Sequence, residues 1–402
     1  THRGYSARQG AAMRGCCKVF LYTLACAGLP AQAADRIFAD EFENPVFRGT
    51  NLVGMEMAYF AYDPATGPVA DTNYPVYDTR VVDYFAGKRV TAFRFLFSWE
   101  AMQAALYGPI PTPDTPASGT NYADYFANYK RIVDYATHER GIRVIVEPWQ
   151  ANGGGGAGGA MFRGELVGSA DVPTAAFADF WGKMAAQFKD NPLVAYGLVN
   201  EPNNMSTYGW FVSAQAAIDA IRGTGAAQRI YVPGNGYTAA SAWTSNFYDT
   251  DAPAHSNADG WLHANGGQPL SDPLDDLAVE VHTYVDTQEG GLDDSITSVT
   301  AARDHVSVTL DWANANGYKV YLGEIGMYAG AAGNGFTAAD AWSDFVSYFD
   351  ANQGPLVGYT WWAGGMPDWW HDLHGPHFAI SPTDDVQFTG DTVNMTMIEN
   401  DF

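Results

Sequence analysis

Beyond residue 26 the chain has no cysteine. All three, Cys16, Cys17 and Cys26, stand near the start, so the remainder can form neither a disulfide nor a thiolate metal site and must be held by packing. Positive charge is also scarce: 21 Lys and Arg face 45 Asp and Glu, a formal net charge of −24. An anionic surface is repelled by a phosphate backbone and gains nothing from counterion release, which argues against nucleic acid as a partner. No apolar run approaches the ~20 residues needed to span a bilayer. The glycine run 153–159 lacks the Lys-Ser/Thr ending of a phosphate-binding loop and reads as a loop over a cleft. There is no H-E-x-x-H. His371, His374 and His377 share their segment with Asp368, Gly375 and Pro376, a loop composition and not a helix face of metal ligands, so no metal is expected. No Pro/Thr/Ser-rich linker marks a second module.

What is present begins with an export signature. After Met13 come Arg14 and Lys18, an apolar run from Val19 to Gly28, and Ala31-Gln32-Ala33, the basic, apolar and A-x-A order of a secretory leader. Residues 1–33 are therefore expected to be upstream residues and signal, 34–48 an N-terminal extension, and 49–402 a single catalytic domain. The product would be secreted, extracellular or periplasmic, with no membrane attachment after signal removal. Loss of the four basic residues of the leader leaves 17 basic against 45 acidic groups, a formal charge of −28. With 12 Trp and 23 Tyr, an acidic, aromatic-rich chain suits an uncharged ligand with flat apolar faces, such as a sugar, although most aromatics fill the core.

Short apolar runs alternate with amphipathic stretches, the pattern of βαβ units and a parallel sheet. Strands are predicted at Asn51–Met57, Val90–Phe97, Arg143–Glu147, Val194–Asn200, Arg229–Val232, Ala278–His282, Lys319–Gly323 and Gly358–Trp362. Eight strands point to a (β/α)8 TIM barrel. Helices are predicted at Tyr122–Glu139, Thr174–Phe188, Gly209–Arg222, Ser295–Asn316 and Ala338–Ala351, with Gly141 and Gly317 at helix ends that need a positive φ. The tail from Gly364 to Phe402 shows no clear eighth helix.

Active sites of such barrels sit at the carboxyl ends of the strands, so the polar residues that close the apolar runs carry the information. The fourth run ends in Asn200-Glu201-Pro202 and the seventh in Glu324. Two carboxyl groups at two strand ends are the minimum for glycoside hydrolysis, one to protonate the leaving oxygen and one to attack the anomeric carbon. Either alone can equally cap a helix; the pair, with its surroundings, argues for chemistry. Arg94 is a charge inside an apolar strand and must be paired; its expected partner is a catalytic carboxylate, which it would hold ionised. His282 and Tyr284 are two apart and face the same way on an extended chain. Trp361 and Trp362 close the eighth run, where a sugar can stack.

The ordered set Arg94, Asn200-Glu201-Pro202, His282-x-Tyr284, Glu324 and Trp362 resembles glycoside hydrolase family five of clan A, most closely its cellulase branch, over roughly residues 49 to 365. The resemblance implies retention of configuration, no cofactor, Glu201 as acid/base and Glu324 as nucleophile. It further implies that Asn200 contacts the sugar 2-hydroxyl, Arg94 partners the nucleophile, His282 and Tyr284 hydrogen-bond the two carboxyl groups, and Trp362 stacks under the reacting sugar. One position departs: where the family shows a histidine after the third strand, this chain has Trp149, which would line the cleft and favour transfer to sugar over water. The implied activity is an endo-β-1,4-glucanase on a β-glucan or cello-oligosaccharides. Alternatives are another retaining β-glycanase (mannanase, xylanase or glucomannanase) or a non-catalytic carbohydrate-binding barrel.

Overall fold

The alternation of apolar runs and helical stretches becomes a closed ring of parallel strands. The computed structural model describes residues 46–59, 62–112, 120–150, 159–333, 335–367 and 377–402. The strands are β1 (Phe47–Val53), β2 (Ala92–Phe97), β3 (Arg143–Pro148), β4 (Val194–Gly197), β5 (Ile230–Pro233), β6 (Leu277–Tyr284), β7 (Lys319–Gly326) and β8 (Leu356–Gly365). Each pairs with its neighbours in sequence and β8 closes on β1. All eight expected runs contribute a strand, and the architecture is the (β/α)8 barrel.

The main helices are α1 (Thr79–Gly87), α2 (Thr120–Asp134), α3 (Thr174–Phe188), α4 (Thr207–Gly223), α5 (Asn257–His263), α6 (Ala301–Asn316) and α7 (Ala338–Ala351). The three-to-four spacing of Phe177, Phe180, Trp181, Met184 and Phe188 puts all five on the buried face of α3. Trp181 also donates its indole N–H to the Leu198 carbonyl at 3.0 Å, which ties α3 to the end of β4. Truncating a buried phenylalanine such as Phe180 costs ~3–5 kcal/mol. Gly141 and Gly317 have φ of 64° and 79°, as their positions at helix ends require.

Strand ends shift by up to three residues elsewhere, and three regions depart further from expectation. The first strand was placed at Asn51–Met57, but it runs from Phe47 to Val53, beginning inside the segment read as an extension. Gly54, at φ 121°, turns the chain, and Met55–Tyr59 coils into a 3-10 turn whose Glu56 accepts from the Gly54 N–H at 2.7 Å. Helix α6 starts at Ala301, six residues after the expected Ser295. The tail holds a short helix, α8 (Val393–Ile398), and Asp401 accepts from Arg48 at 2.8 Å and Trp342 at 2.7 Å, binding the end of the chain to β1 and α7. The expected leader, residues 1–33, and most of the glycine run lie outside the described residues. No helix among the described residues is long and apolar enough to cross a membrane.

Inward positions recur every second residue along each strand, and they form layers inside the barrel. The lowest is apolar: Phe47, Ala92, Ile145, Ala195, Tyr231, Ala278, Tyr321 and Val357. One step toward the carboxyl ends, the inward residues turn polar, with Arg94, Glu147 and Glu280 all fully buried. That change of chemistry makes the floor of a site.

Candidate active site

Arg94 is the centre of the polar layer. Its Nε donates to Glu147 Oε2 at 2.9 Å, and its Nη2 donates to Glu147 Oε1, a two-point ion pair from β2 to β3. The same guanidinium reaches Asn51 Oδ1 at 2.8 Å, Glu324 Oε1 at 2.9 Å and Asn200 Oδ1 at 2.7 Å. A planar fork with five donors is what such convergence needs, and lysine could not supply it. Burial would lower the pKa of Arg94, but the carboxyl groups of Glu147, Glu280 and Glu324 outweigh it and hold the guanidinium well above its ordinary value.

Glu324 sits near the end of β7 and is fully engaged. Arg94 serves one oxygen, and Tyr284 donates its hydroxyl to the other at 2.6 Å. Its pKa nonetheless lies above the usual carboxylate range, because burial outweighs the pull of His282 and Arg94. The expectation that Arg94 holds this group ionised is thus opposed by the desolvation cost, which outweighs the pull of the guanidinium.

Glu201 follows β4 and has a different environment. Its backbone is left-handed, φ 45°, a conformation that costs a non-glycine residue ~1–3 kcal/mol and survives only when the surroundings enforce it. Asn203 helps by donating to the Glu201 carbonyl at 2.9 Å. The carboxyl group meets His282 Nδ1 at 2.8 Å, and burial pushes its pKa up to about 7. His282 is pushed down to about 4 by burial, so the imidazole is neutral near pH 7.

His282 Nδ1 also lies 3.5 Å from Glu324 Oε2, and the facing atoms of Glu201, His282 and Glu324 are all within 4.8 Å of one another. That cluster is compact enough for a metal ion. Each oxygen of Glu324 already accepts a hydrogen bond, however, from Arg94 or Tyr284, and Nδ1 is paired with Glu201, a set of contacts that suits a hydrogen-bonded acid pair. Of the three histidines set aside above, His377 pairs with Asp294 at 2.7 Å; His371 and His374 lie outside the described residues.

Asn200 spends its carbonyl on Arg94, while its amide nitrogen is buried without a partner among the described residues. Buried donors rarely stay unmet, and this one is available to a ligand hydroxyl. Trp362 joins Tyr284, Leu96 and Phe378 in an apolar patch at the carboxyl end of the barrel, and the half-buried Trp149 packs against the same patch. The eight candidate site residues therefore converge at one end of the barrel, whereas Trp361, read with Trp362 as a surface for a sugar, is fully buried in the hydrophobic core against Trp342.

Three members of the layer were not singled out: Asn51, Glu147 and Glu280. A signal existed for the two glutamates, since each is a charge in an apolar strand, as Arg94 is. Glu280 also stands two residues before His282 and so faces inward with it.

Residues 40–365 match the family model described as Cellulase (glycosyl hydrolase family 5). The chain is 30% identical over 261 residues to Endoglucanase 1 of Robillarda sp. strain Y-20, a match spanning 63% of this chain and 62% of that protein. It is 29% identical over 320 residues to the probable endo-beta-1,4-glucanase B of Aspergillus niger, 79% of this chain and 81% of the relative. Among solved structures, XacCel5A in complex with cellopentaose is 28% identical with a TM-score of 0.73, covering 90% of this chain and 100% of that one.

Proposed function

The chain belongs to the cellulase family, glycosyl hydrolase family 5, and from that premise we propose that it is a retaining endo-β-1,4-glucanase acting on a β-glucan or cello-oligosaccharides. Glu324 is the nucleophile and Glu201 the acid/base. The observation that carries the assignment is the asymmetry between the two carboxyl groups. Glu324 has both oxygens held, by Arg94 and Tyr284, which aims it and offsets part of the desolvation that raises its pKa. Glu201, with a pKa pushed up to about 7 by burial, holds a proton to give near neutrality. An oxygen of each lies within 4.8 Å of the other, a closeness that supports the short carboxyl separation of retaining enzymes, ~5–5.5 Å.

In the first step Glu324 bonds to the anomeric carbon as the bond to the leaving oxygen breaks and Glu201 protonates that oxygen. In the second, Glu201 takes a proton from water, the water oxygen bonds to the anomeric carbon, and Glu324 departs. Asn200 offers its unpaired amide to a sugar hydroxyl, and Trp362 offers a face for stacking. The relatives named as endo-beta-1,4-glucanases and the neighbour bound to cellopentaose support glucan as the polymer. Product analysis on cellopentaose against mannopentaose tests that choice. Export remains part of the proposal, and N-terminal sequencing of protein recovered outside the cell checks it.

A dinitrophenyl cellobioside tests the roles, since its leaving group needs no acid. Glu201→Ala should still form the glycosyl-enzyme, then stall, and azide should speed release as a β-glycosyl azide. Glu324→Ala should be inert on every substrate. If Glu324→Ala is instead the variant rescued with a β-glycosyl azide product, the two roles must be exchanged.

A further inference from the structure

Beneath the two carboxyl groups lies a third that the reaction does not use. Glu280 is fully buried, and neither of its oxygens accepts from an N–H or O–H among the described residues; the carboxyl group of Glu147 is within hydrogen-bonding reach of it, but both oxygens of Glu147 already accept from Arg94. Its Oε1 lies 3.0 Å from Arg94 Nε, but that N–H is directed to Glu147. Nε2 of His282 is likewise buried with no partner among the described residues, and it lies 3.5 Å from the same Oε1. The space between them is kept open by Gly323: a Cβ there would stand 2.3 Å from Glu280 Oε1 and 2.9 Å from His282 Nε2. Two orphaned polar atoms thus face one another across a gap cleared for them, and catalytic hydrogen bonds in unliganded sites are often this long.

Charge decides which of the two carries the proton. The groups facing Glu280 are Arg94, Glu147, His282, Glu324 and Tyr321. Arg94 is the only cation in that set, and its directed hydrogen bonds go to Glu147 and Glu324. A third buried carboxylate with no hydrogen bond is costly, and the cheapest remedy is to keep it neutral; burial and the neighbouring Glu147 do push Glu280 well above the ordinary carboxyl range.

We propose that Glu280 is a positioning residue: in its neutral form it donates a hydrogen bond to Nε2 of His282 and so fixes the imidazole with its single proton on Nδ1, pointing at Glu201. The consequence rests on Glu201 being the acid/base. With Nδ1–H donating to Oε1 of Glu201, the acid's own proton is confined to Oε2, free for the glycosidic oxygen. With the proton on Nε2 instead, the Nδ1 lone pair would draw the Glu201 proton to Oε1, away from the leaving group. One fixed tautomer serves both steps, because Oε1 accepts whether Glu201 is neutral or charged.

Neutron diffraction from the wild-type protein near pH 6 reads the proposal directly: a deuteron is expected on His282 Nδ1 and another on a Glu280 oxygen. A deuteron on Nε2 facing a bare Glu280, or a Glu280 deuteron directed at Glu147 and not at Nε2, overturns it. Kinetics supply the second reading. Glu280→Met removes the donor and should lower the ratio of kcat on cellopentaose to kcat on dinitrophenyl cellobioside by about tenfold, part of the ~10²–10⁴ that a general acid contributes. Glu280→Gln keeps an N–H donor and should restore that ratio; equal ratios in the two variants overturn the proposal. Failure of azide to rescue Glu201→Ala would instead count against the acid/base assignment, leaving the deuteron positions to decide the tautomer independently.

Discussion

Gly197 stands where the carboxyl group of Glu147 needs room: a Cβ on Gly197 would lie 2.0 Å from Glu147 Oε2 and 2.7 Å from its Cδ. Glu147 cannot move aside freely, because both its oxygens hold the Arg94 guanidinium. Gly197→Ala should therefore displace Arg94 and, through it, Glu324 and Asn200. Overpacking of this kind costs ~1–3 kcal/mol, so calorimetry should show Tm lower by a few degrees. Activity should fall by more than the loss of folded protein explains; an unchanged kcat would show that the clamp tolerates movement.

Arg94→Lys tests whether charge alone is sufficient. A lysine ammonium keeps the charge but has three donors and no planar fork, so it cannot serve Asn51, Glu147, Asn200 and Glu324 together. Turnover of cellopentaose and of dinitrophenyl cellobioside should both drop by roughly 100-fold or more, since the nucleophile is misplaced in either case, about the cost of removing one preorganised donor. Retention of activity on the activated substrate would mean that Arg94 does not position Glu324.

The pH dependence follows from two raised carboxyl groups. Glu201, at about 7, must be protonated to act as acid, so turnover of cellopentaose should decline as pH rises through about 7. Stability moves in the same direction for Glu56, which burial pushes up to about 8 from an ordinary 4.5. Below pH 4.5 both folded and unfolded chains hold its proton. Between 4.5 and 8 only the folded chain does, so its stabilising contribution is lost as pH rises through that window, by at most ~5 kcal/mol. Glu56→Gln should flatten the fall of Tm over that range without abolishing it, because Glu201 contributes its own share. An unaltered slope would mean that Glu56 is not held neutral.

Trp149 packs against the apolar patch that includes Trp362 and Tyr284, and its proposed role as a stacking surface for an acceptor sugar is open to test. Trp149→His should raise the proportion of hydrolysis over transfer at high cello-oligosaccharide concentration, by roughly two- to tenfold if one stacking contact of ~0.5–1.5 kcal/mol is lost. Chromatography of products longer than the substrate measures it, and an unchanged product pattern would remove Trp149 from acceptor binding.

The sequence by itself determined the barrel and the cleft's main residues, because both are written in local patterns. A strand announces itself by a short apolar run, and a polar residue that closes the run falls at the carboxyl end of the barrel wherever that strand sits. Asn200, Glu201, His282, Tyr284 and Glu324 were legible in this way, Arg94 as a charge inside an apolar strand, and Trp362 as an aromatic at the end of the eighth run. The boundaries of β1 were not, since Asn51 and Glu56 look alike in a linear pattern and only pairing with β8 and β2 selects Phe47–Val53.

Tertiary structure alone decided the second tier. That Glu147 and Glu280 share one guanidinium depends on which inward positions of β2, β3 and β6 meet at the same height, a fact of barrel stagger and not of sequence spacing. The roles of Gly197 and Gly323, far in sequence from Glu147 and Glu280, become visible only when a missing Cβ is seen against a carboxyl group. The proton affinity of Glu201 depends on burial and on a charge from β2, 107 positions away. Electrostatics and close packing act through space, and the chain's order records neither.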